Sequence, residues 1–426
     1  MAQRTSATDR SPGINPQSQR SAFPALRHRD FRLLWLAQLV SITGSQMQLV
    51  AINWHVYLLT HSPLALGFVG LVRVVPIILC SLIGGVVADA IDRKRLMIVT
   101  QVVMLVSAAA LAATTASGLD AVWPIYLLTA VASAAVAFDN PARHALMPTL
   151  VPAEVFPNAV SLGILAFNSA MIVGPALAGL LLAGHGPALI YMINAVSFLA
   201  VILALLIMQT SGRPESGDQA AVRVSFAALG EGLRFVWRTP IIVQTMTLDF
   251  IATFFASATA LLPIFAAEIL RVGARGLGLL AAAPAAGSVI TGLVMARAAT
   301  FKRQGRLVLI SIAIYGAATI VFGLSRWFWL SLAMLAITGA ADTVSTVLRQ
   351  TIRQLVTPNH LRGRMTSVNM IFFMGGPQLG EMEAGALAAA VGATLSVITG
   401  GVGCLVAVLI AGFTARSLLG YEGPSQ

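Results

Sequence analysis

Of the 426 residues, 57% are hydrophobic and only 10% charged, against roughly 25% charged in an ordinary soluble domain. Such a chain has too little polar surface to face water all round, which excludes a soluble enzyme or a nucleic-acid-binding domain. The net charge of +11 is scattered over connections instead of gathered on one face, and it reads as a topology signal.

A bilayer core of about 30 Å is crossed by a helix of about 20 apolar residues. Segments such as Leu199 to Met208 do not alternate in polarity as barrel strands would. The expected fold class is therefore an all-α membrane protein with twelve transmembrane helices in two six-helix bundles.

In chain order, residues 1–30 are polar, contain Pro12, Pro16 and Pro24, and lack an apolar core ending in small residues; they are expected to form a disordered cytoplasmic tail without a cleavable signal peptide. Spans are predicted at 31–58, 64–88, 96–117, 122–145, 157–183 and 187–209, which gives an N-terminal bundle over 31–209. The longest polar interruption, 210–240, holds Ser211, Gly212, Pro214, Ser216 and Gly217 before an amphipathic stretch from Phe226 to Trp237, and reads as a cytoplasmic linker. Spans at 241–269, 276–298, 306–325, 327–350, 365–389 and 392–415 complete a C-terminal bundle over 241–416, followed by a cytoplasmic tail at 417–426.

The second half echoes the first. Asp139 to Arg143, Leu150-Val151-Pro152 and Gly174-Pro175 return as Asp342 to Arg349, Leu355-Val356-Thr357-Pro358 and Gly376-Pro377. Weak similarity between halves is expected of transporters built from repeated bundles around a central path. With the N-terminus in the cytoplasm, 23 of the 27 Lys and Arg fall on that side, three (Arg271, Arg275 and Arg326) fall outside, and Arg73 lies within a span. The positive-inside rule favours this orientation, with both termini cytoplasmic in an inner membrane. Cys80 and Cys404 both sit in spans, which suggests neither a disulfide nor a metal site. No Walker sequence, paired-histidine zinc motif or Gly-x-Ser-x-Gly elbow occurs, so no catalytic residues and no cofactor are expected.

The second span runs into Gly85-Val86-Val87-Ala88-Asp89-Ala90-Ile91-Asp92-Arg93-Lys94-Arg95. This resembles the loop signature G-x-x-x-D-R-x-G-R-[RK] of the major facilitator superfamily: Gly85, Asp89, Arg93 and Lys94 match, while Ala90 and Asp92 replace an arginine and a glycine. In the fifth span, Ala170 to Gly179 is similar to the antiporter signature G-x-x-x-G-P-x-x-G-G, with Gly174, Pro175 and Gly179 matching. Together with His28 to Trp35 and Leu361-Arg362-Gly363-Arg364, these motifs resemble the branch holding enterobactin exporters and macrolide efflux proteins. The resemblance implies a proton-coupled exporter of a small molecule, with the 85–94 loop as a gate. It implies no substrate.

Ionisable groups inside spans mark candidate function because each is expensive there unless paired or hydrated. Asp139 precedes Arg143 by four residues, the favourable order for a helical ion pair, and Asp342 with Arg349 is expected to behave likewise. Glu268, beside Arg271 at a helix end, is expected to be solvated. Arg73 and His55 are substrate-path candidates; Arg73 is expected either to snorkel outward or to meet a substrate anion or buried carboxylate, and His55 reads first as an interfacial residue. Asp249 lies about 13 Å into the seventh span with no basic residue within one turn, and is the leading proton-coupling candidate. A structural bond to Thr245 or Thr253 is its alternative. Glu381 and Glu383 are secondary candidates, on a stretch whose Gly375-Gly376-Pro377 and Gly380 make helical regularity doubtful. The expected partners are a small-molecule substrate, protons and the bilayer, for a monomer that binds no nucleic acid. Proton-driven efflux leads; nutrient uptake on the same fold and a non-transporting sensor or accessory subunit are the alternatives.

Overall fold

The computed structural model describes residues 23–118, 121–212, 233–255, 258–297, 301–358 and 361–421. The N-terminal half folds as α1 (Arg29–Thr60), α2 (Pro63–Ala90), α3 (Arg93–Ala116), α4 (Trp123–Leu146), α5 (Phe156–His185) and α6 (Pro187–Ile207). The C-terminal half folds as α7 (Pro240–Phe255), α8 (Gly273–Arg297), α9 (Gln304–Leu324), α10 (Phe328–Val356), α11 (Arg362–Val391) and α12 (Ala393–Thr414). No strand occurs among the described residues.

Local chemistry sets many of the boundaries. Pro63, Pro187 and Pro240 are the first residues of their helices, where a fixed φ helps and the missing N–H would have been unpaired anyway. Asp92 caps α3 by accepting from the amides of Lys94 and Arg95. Single glycines with positive φ, Gly186 at 72° and Gly392 at 91°, separate α5 from α6 and α11 from α12. Ten helical segments among the described residues are long and apolar enough to cross a membrane. The polarity of α1 keeps it from qualifying, because Gln38, Ser41, Gln48 and His55 are buried in its bundle.

Three expectations need correction. Residues 23–30 are not a disordered tail: a 3-10 turn at Pro24–Arg27 leads into α1, Ala25 is buried, and its amide donates to Asn158 Oδ1 at 3.2 Å. The seventh span is not one helix. After α7 the chain runs through a 3-10 turn (Ala258–Leu261), a short helical turn (Leu262–Ile264) and a π turn (Phe265–Ile269), with Pro263 unable to donate a main-chain hydrogen bond. By contrast, α11 is helical through Gly375, Gly376, Pro377 and Gly380. Residues 1–22 and 422–426 and most of the 210–240 linker lie outside the described residues, although 233–238 is helical.

The two halves pack alike. In the first, α1 lies on α5 and α6, α2 on α4, and α3 on α4 and α6; in the second, α7 lies on α11 and α12, α8 on α10, and α9 on α10 and α12. Adding six to each helix number converts one scheme into the other. Two seams join the bundles, α2 against α11 and α5 against α8, and they exchange under the same operation. This is the repeat architecture expected of transporters built from two related bundles.

Both seams depend on glycine. A Cβ on Gly67 would stand 2.8 Å from the Glu381 carbonyl oxygen and one on Gly385 2.6 Å from the Pro63 carbonyl; one on Gly278 would stand 2.4 Å from the Pro175 carbonyl and 2.7 Å from Gly179 Cα. No other side chain allows backbones this close. All these contacts lie toward the end away from the chain termini. One apolar core there takes residues from both bundles, including Val56, Leu66, Leu182, Phe265, Leu277, Ala388 and Val397. At the termini end the described core residues separate, one cluster (Phe31, Leu34, Met97, Leu146, Leu205) belonging to the first bundle and one (Ile242, Met246, Val308, Ile352, Met365) to the second. Among the described residues, the apolar core is therefore shared by the bundles at the end away from the termini and divided between them at the termini end.

Candidate functional site

The polar residues of α10 form a stripe: Thr338, Asp342, Ser345, Thr346, Arg349 and Arg353 follow helical spacing, while the exposed apolar residues Ile337, Val347 and Leu355 lie on other faces. This stripe meets α7 at a buried cluster of charges. Arg349 Nη2 donates to Asp249 Oδ1 at 2.7 Å and to Thr346 Oγ1 at 3.0 Å, and stands 3.8 Å from Asp342 Oδ1. Arg353 Nη1 lies 3.6 Å from Asp249 Oδ2 and also donates to Asn369 of α11. Side-chain exposure is 1% for Arg349 and 5% each for Asp249 and Arg353, but 47% for Asp342.

Asp249 thus has fixed cationic neighbours, which overturns the premise that it stands apart from bases. Its partners lie a hundred residues away on another helix, beyond the reach of a local spacing argument. The hydroxyl of Thr245 turns back to the Ile242 carbonyl, and that of Thr253 donates to the main-chain carbonyl of Asp249. The expected pairing of Asp342 with Arg349 is present, though longer than the bond to Asp249.

The first bundle holds a counterpart. Arg143 Nη2 donates to Asp139 Oδ2 at 2.9 Å and to Asn140 at 2.6 Å, while Nη1 donates to Gln38 of α1 at 3.0 Å; Thr100 and Gln101 of α3 donate to the other carboxylate oxygen. Gln38 lies nine residues into α1, as Asp249 lies nine residues into α7, and Arg143 and Arg349 each precede a proline (Pro152, Pro358) by nine. Each fourth helix therefore uses one arginine to bind its bundle's first helix and its own residue three positions back. The acid differs: it is on the fourth helix in the first bundle and on the first helix in the second. Sequence reasoning missed Arg353, Asn369 and the Asp249–Arg349 pair. The repeated arginine-to-proline spacing was the signal that could have found the last.

In the loop after α2, Arg93 Nη1 donates to the Ala145 carbonyl at the end of α4 and Lys94 Nζ to the Met208 carbonyl just past α6. Both bases cap helix C-termini of their own bundle, where unpaired carbonyls and the helix dipole favour a cation. The side chains of Gly85 and Asp89 lie outside the described residues. Nearby, Asp30 binds the start of the linker, accepting from the amides of Gln209 and Thr210 and from the Thr210 hydroxyl at 2.6 Å. Burial draws the Asp30 carboxyl upward, but these bonds and the Arg29 charge outweigh it and hold it below the usual carboxylate value.

In α5, Gly174 packs against Gln46 and Thr43 of α1, whereas Pro175 and Gly179 meet α8, so this motif ties its own bundle to the seam. On the other seam, Glu381 lies against Gly70 of α2, and Arg73 of the same helix is the cation that acts on it electrostatically. Glu383 is half-buried on α11. His55 is buried in its bundle, with Nδ1 3.2 Å from the Tyr191 hydroxyl. Glu268 is exposed, as expected, and also accepts from the Tyr57 hydroxyl at 2.9 Å across the closed end.

The family model described as transmembrane secretion effector matches residues 20–418. The chain is 27% identical over 370 residues to the multidrug efflux pump Tap of Mycolicibacterium fortuitum, covering 84% of this chain and 89% of that one. It is 26% identical over 379 residues to the enterobactin exporter EntS of Shigella boydii serotype 18, covering 89% and 90% respectively. Among solved structures, the fold is similar to a bacterial homologue of the human lysosomal transporter Spinster, with a TM-score of 0.71 at 14% identity over 92% or more of each chain (94% and 99%).

Proposed function

The chain belongs to the transmembrane secretion effector family of the major facilitator superfamily, and on that premise we propose that it exports a small organic compound, drug-like, macrolide-like or siderophore-like, by proton-driven alternating access. It is a multi-pass membrane transporter and not an enzyme. The observation that carries the reading is the division of the core: the bundles share apolar packing at one end and separate at the other. Rocking about the two glycine seams then exchanges the open and closed ends.

The export direction is supported by the efflux relatives, with the termini-bearing end facing the cytoplasm of an inner membrane, the orientation that the distribution of bases favours. The path is then loaded from inside by a monomer that works with a substrate, protons and lipid. Gly85, Asp89, Arg93 and Lys94 act as the gating loop, and the antiporter-like Gly174, Pro175 and Gly179 hold α5 to α1 and α8. Coupling is assigned to the charge cluster of the second bundle that holds Asp249, with Glu381 and Glu383 nearer the closed end as secondary candidates; Arg73 is a candidate for the path.

The test is accumulation of labelled amphipathic compounds in cells with and without the protein, with and without an uncoupler. Export predicts lower accumulation in cells carrying the protein, and an uncoupler should abolish the difference. Higher accumulation with the protein would favour uptake, and no difference for any compound would favour a non-transporting role.

A further inference from the structure

Two carboxylates compete for Arg349, and they are not equivalent. Asp249 is nearly fully buried and lies between two guanidiniums, at 2.7 Å from Arg349 and 3.6 Å from Arg353. Neutralising it would leave two buried cations without a counter-charge, the costly direction for such a cluster. Asp342 has one cation at 3.8 Å, a long 3.4 Å bond from Thr346, and nearly half its side chain exposed. It lies on the polar stripe of α10, away from the apolar faces suited to lipid, so the water it meets is that between the bundles. Beside it is a cavity of about 10 Å³ lined by Ser311, Tyr315, Ser345 and Arg349 among others, room for about one water. Arg349 Nε and Nη1 and Ser345 Oγ are buried there without a protein partner.

We propose that Asp342 is the carboxyl that takes up and releases the proton, and that Arg349 passes its charge state through Asp249 and Arg353 to α11. The proposal rests on the proton-coupled reading above. On loading, a hydronium ion in the path gives its proton to an Asp342 oxygen and leaves as water. The carboxylate becomes a neutral acid and its attraction for Arg349 ends, so Arg349 engages Asp249 alone. On release the proton returns to water, Asp342 regains its charge, and Arg349 is again shared. Asp249 then leans to its second cation, Arg353, which is hydrogen-bonded to Asn369 of α11.

This chain of contacts ends on a seam helix, since α11 packs against α2 of the other bundle. The titratable and charged groups around Asp342 are few: Tyr315 from α9, Asp249 from α7, Arg349 and Arg353 from its own helix, and Cys404 of α12 behind Tyr315. Between Arg275 and Arg297, α8 carries no titratable residue, and α11 carries none from Met365 to Gly380. The acid that Arg143 binds in the first bundle, Asp139, is 2% exposed and held by three donor residues, which leaves the second bundle as the coupling half.

The test needs no substrate. Infrared difference spectra of the purified full-length protein, recorded as pH is lowered, follow the C=O stretch of protonated carboxyls. The band that appears on acidification should be lost in Asp342→Asn and retained in Asp249→Glu, which keeps the buried charge. A band that persists in Asp342→Asn overturns the assignment, as does one lost in Asp249→Glu while Asp342→Asn keeps it. For the relay, spin labels on α2 and α11 should report an acid-induced distance change in wild type that is absent in Asn369→Ala, whose carboxyl band stays; an unchanged response there overturns the relay. Ethidium transport in energised vesicles is the separate measure of the functional reading. If the wild type shows the Asp342 band but no gradient-driven ethidium export, the proton-driven reading fails and the proton site stands.

Discussion

Arg143 and Arg349 show how little sequence separates a structural ion pair from a shared one. Arg143 faces an acid four residues back on its own helix, and that spacing made the pair legible. Arg349 has a similar acid nearby in Asp342, yet its shorter bond goes to Asp249, which only folding brings close. The expected outcome for Arg143→Met is a loss of about 3–5 kcal/mol, the usual consequence of stranding a buried charge, read as a lower unfolding midpoint in detergent; Arg143→Lys should recover part of it. An unchanged midpoint would mean that Thr100 and Gln101 alone suffice for Asp139. Asp30 gives a pH-dependent case. Its folded-state carboxyl is held below the usual value, so its contribution is complete at neutral pH and is lost as pH falls through that depressed value. Hydrogen exchange at the Gln209 and Thr210 amides should therefore quicken in strong acid, and quicken at all pH values in Asp30→Ala.

At the scale of helices, hydrophobic runs located most of the segments to within a few residues because a bilayer needs a fixed apolar length. What the runs could not give was continuity. α11 stays helical through its glycines and Pro377, whereas the seventh span passes from α-helix to 3-10 and π turns over 258–269. The seams were also hidden, since a glycine in a span looks the same whether it faces lipid or another backbone. Their tightness makes a prediction: Gly278→Val places a methyl-bearing carbon where only about 2.4 Å separates its Cβ from the Pro175 carbonyl, so the closed end must part. Spin labels at the ends of α5 and α8 away from the termini should move several ångströms apart relative to wild type. An unchanged distance would show that the seam yields locally and does not hold the closed state.

For the whole molecule, the twofold repeat was faintly visible in the echo from Asp139 to Pro175, but its strength lies in packing, where the main helix pairings of one bundle recur six helices later. Which end faces the cytoplasm rests on the bases alone. A single cysteine at Ser216 should resist a membrane-impermeant label in intact cells and react after lysis; labelling from outside would invert the topology and the direction of loading. The central claim, that proton flow drives the compound the opposite way, is tested most directly with purified protein in liposomes under an imposed pH gradient. With the lumen acid, protons leaving should drive a transported amphipathic compound inward above its outside concentration, and an ionophore should collapse that accumulation. Accumulation only when the outside is acid would instead reveal symport and contradict the account.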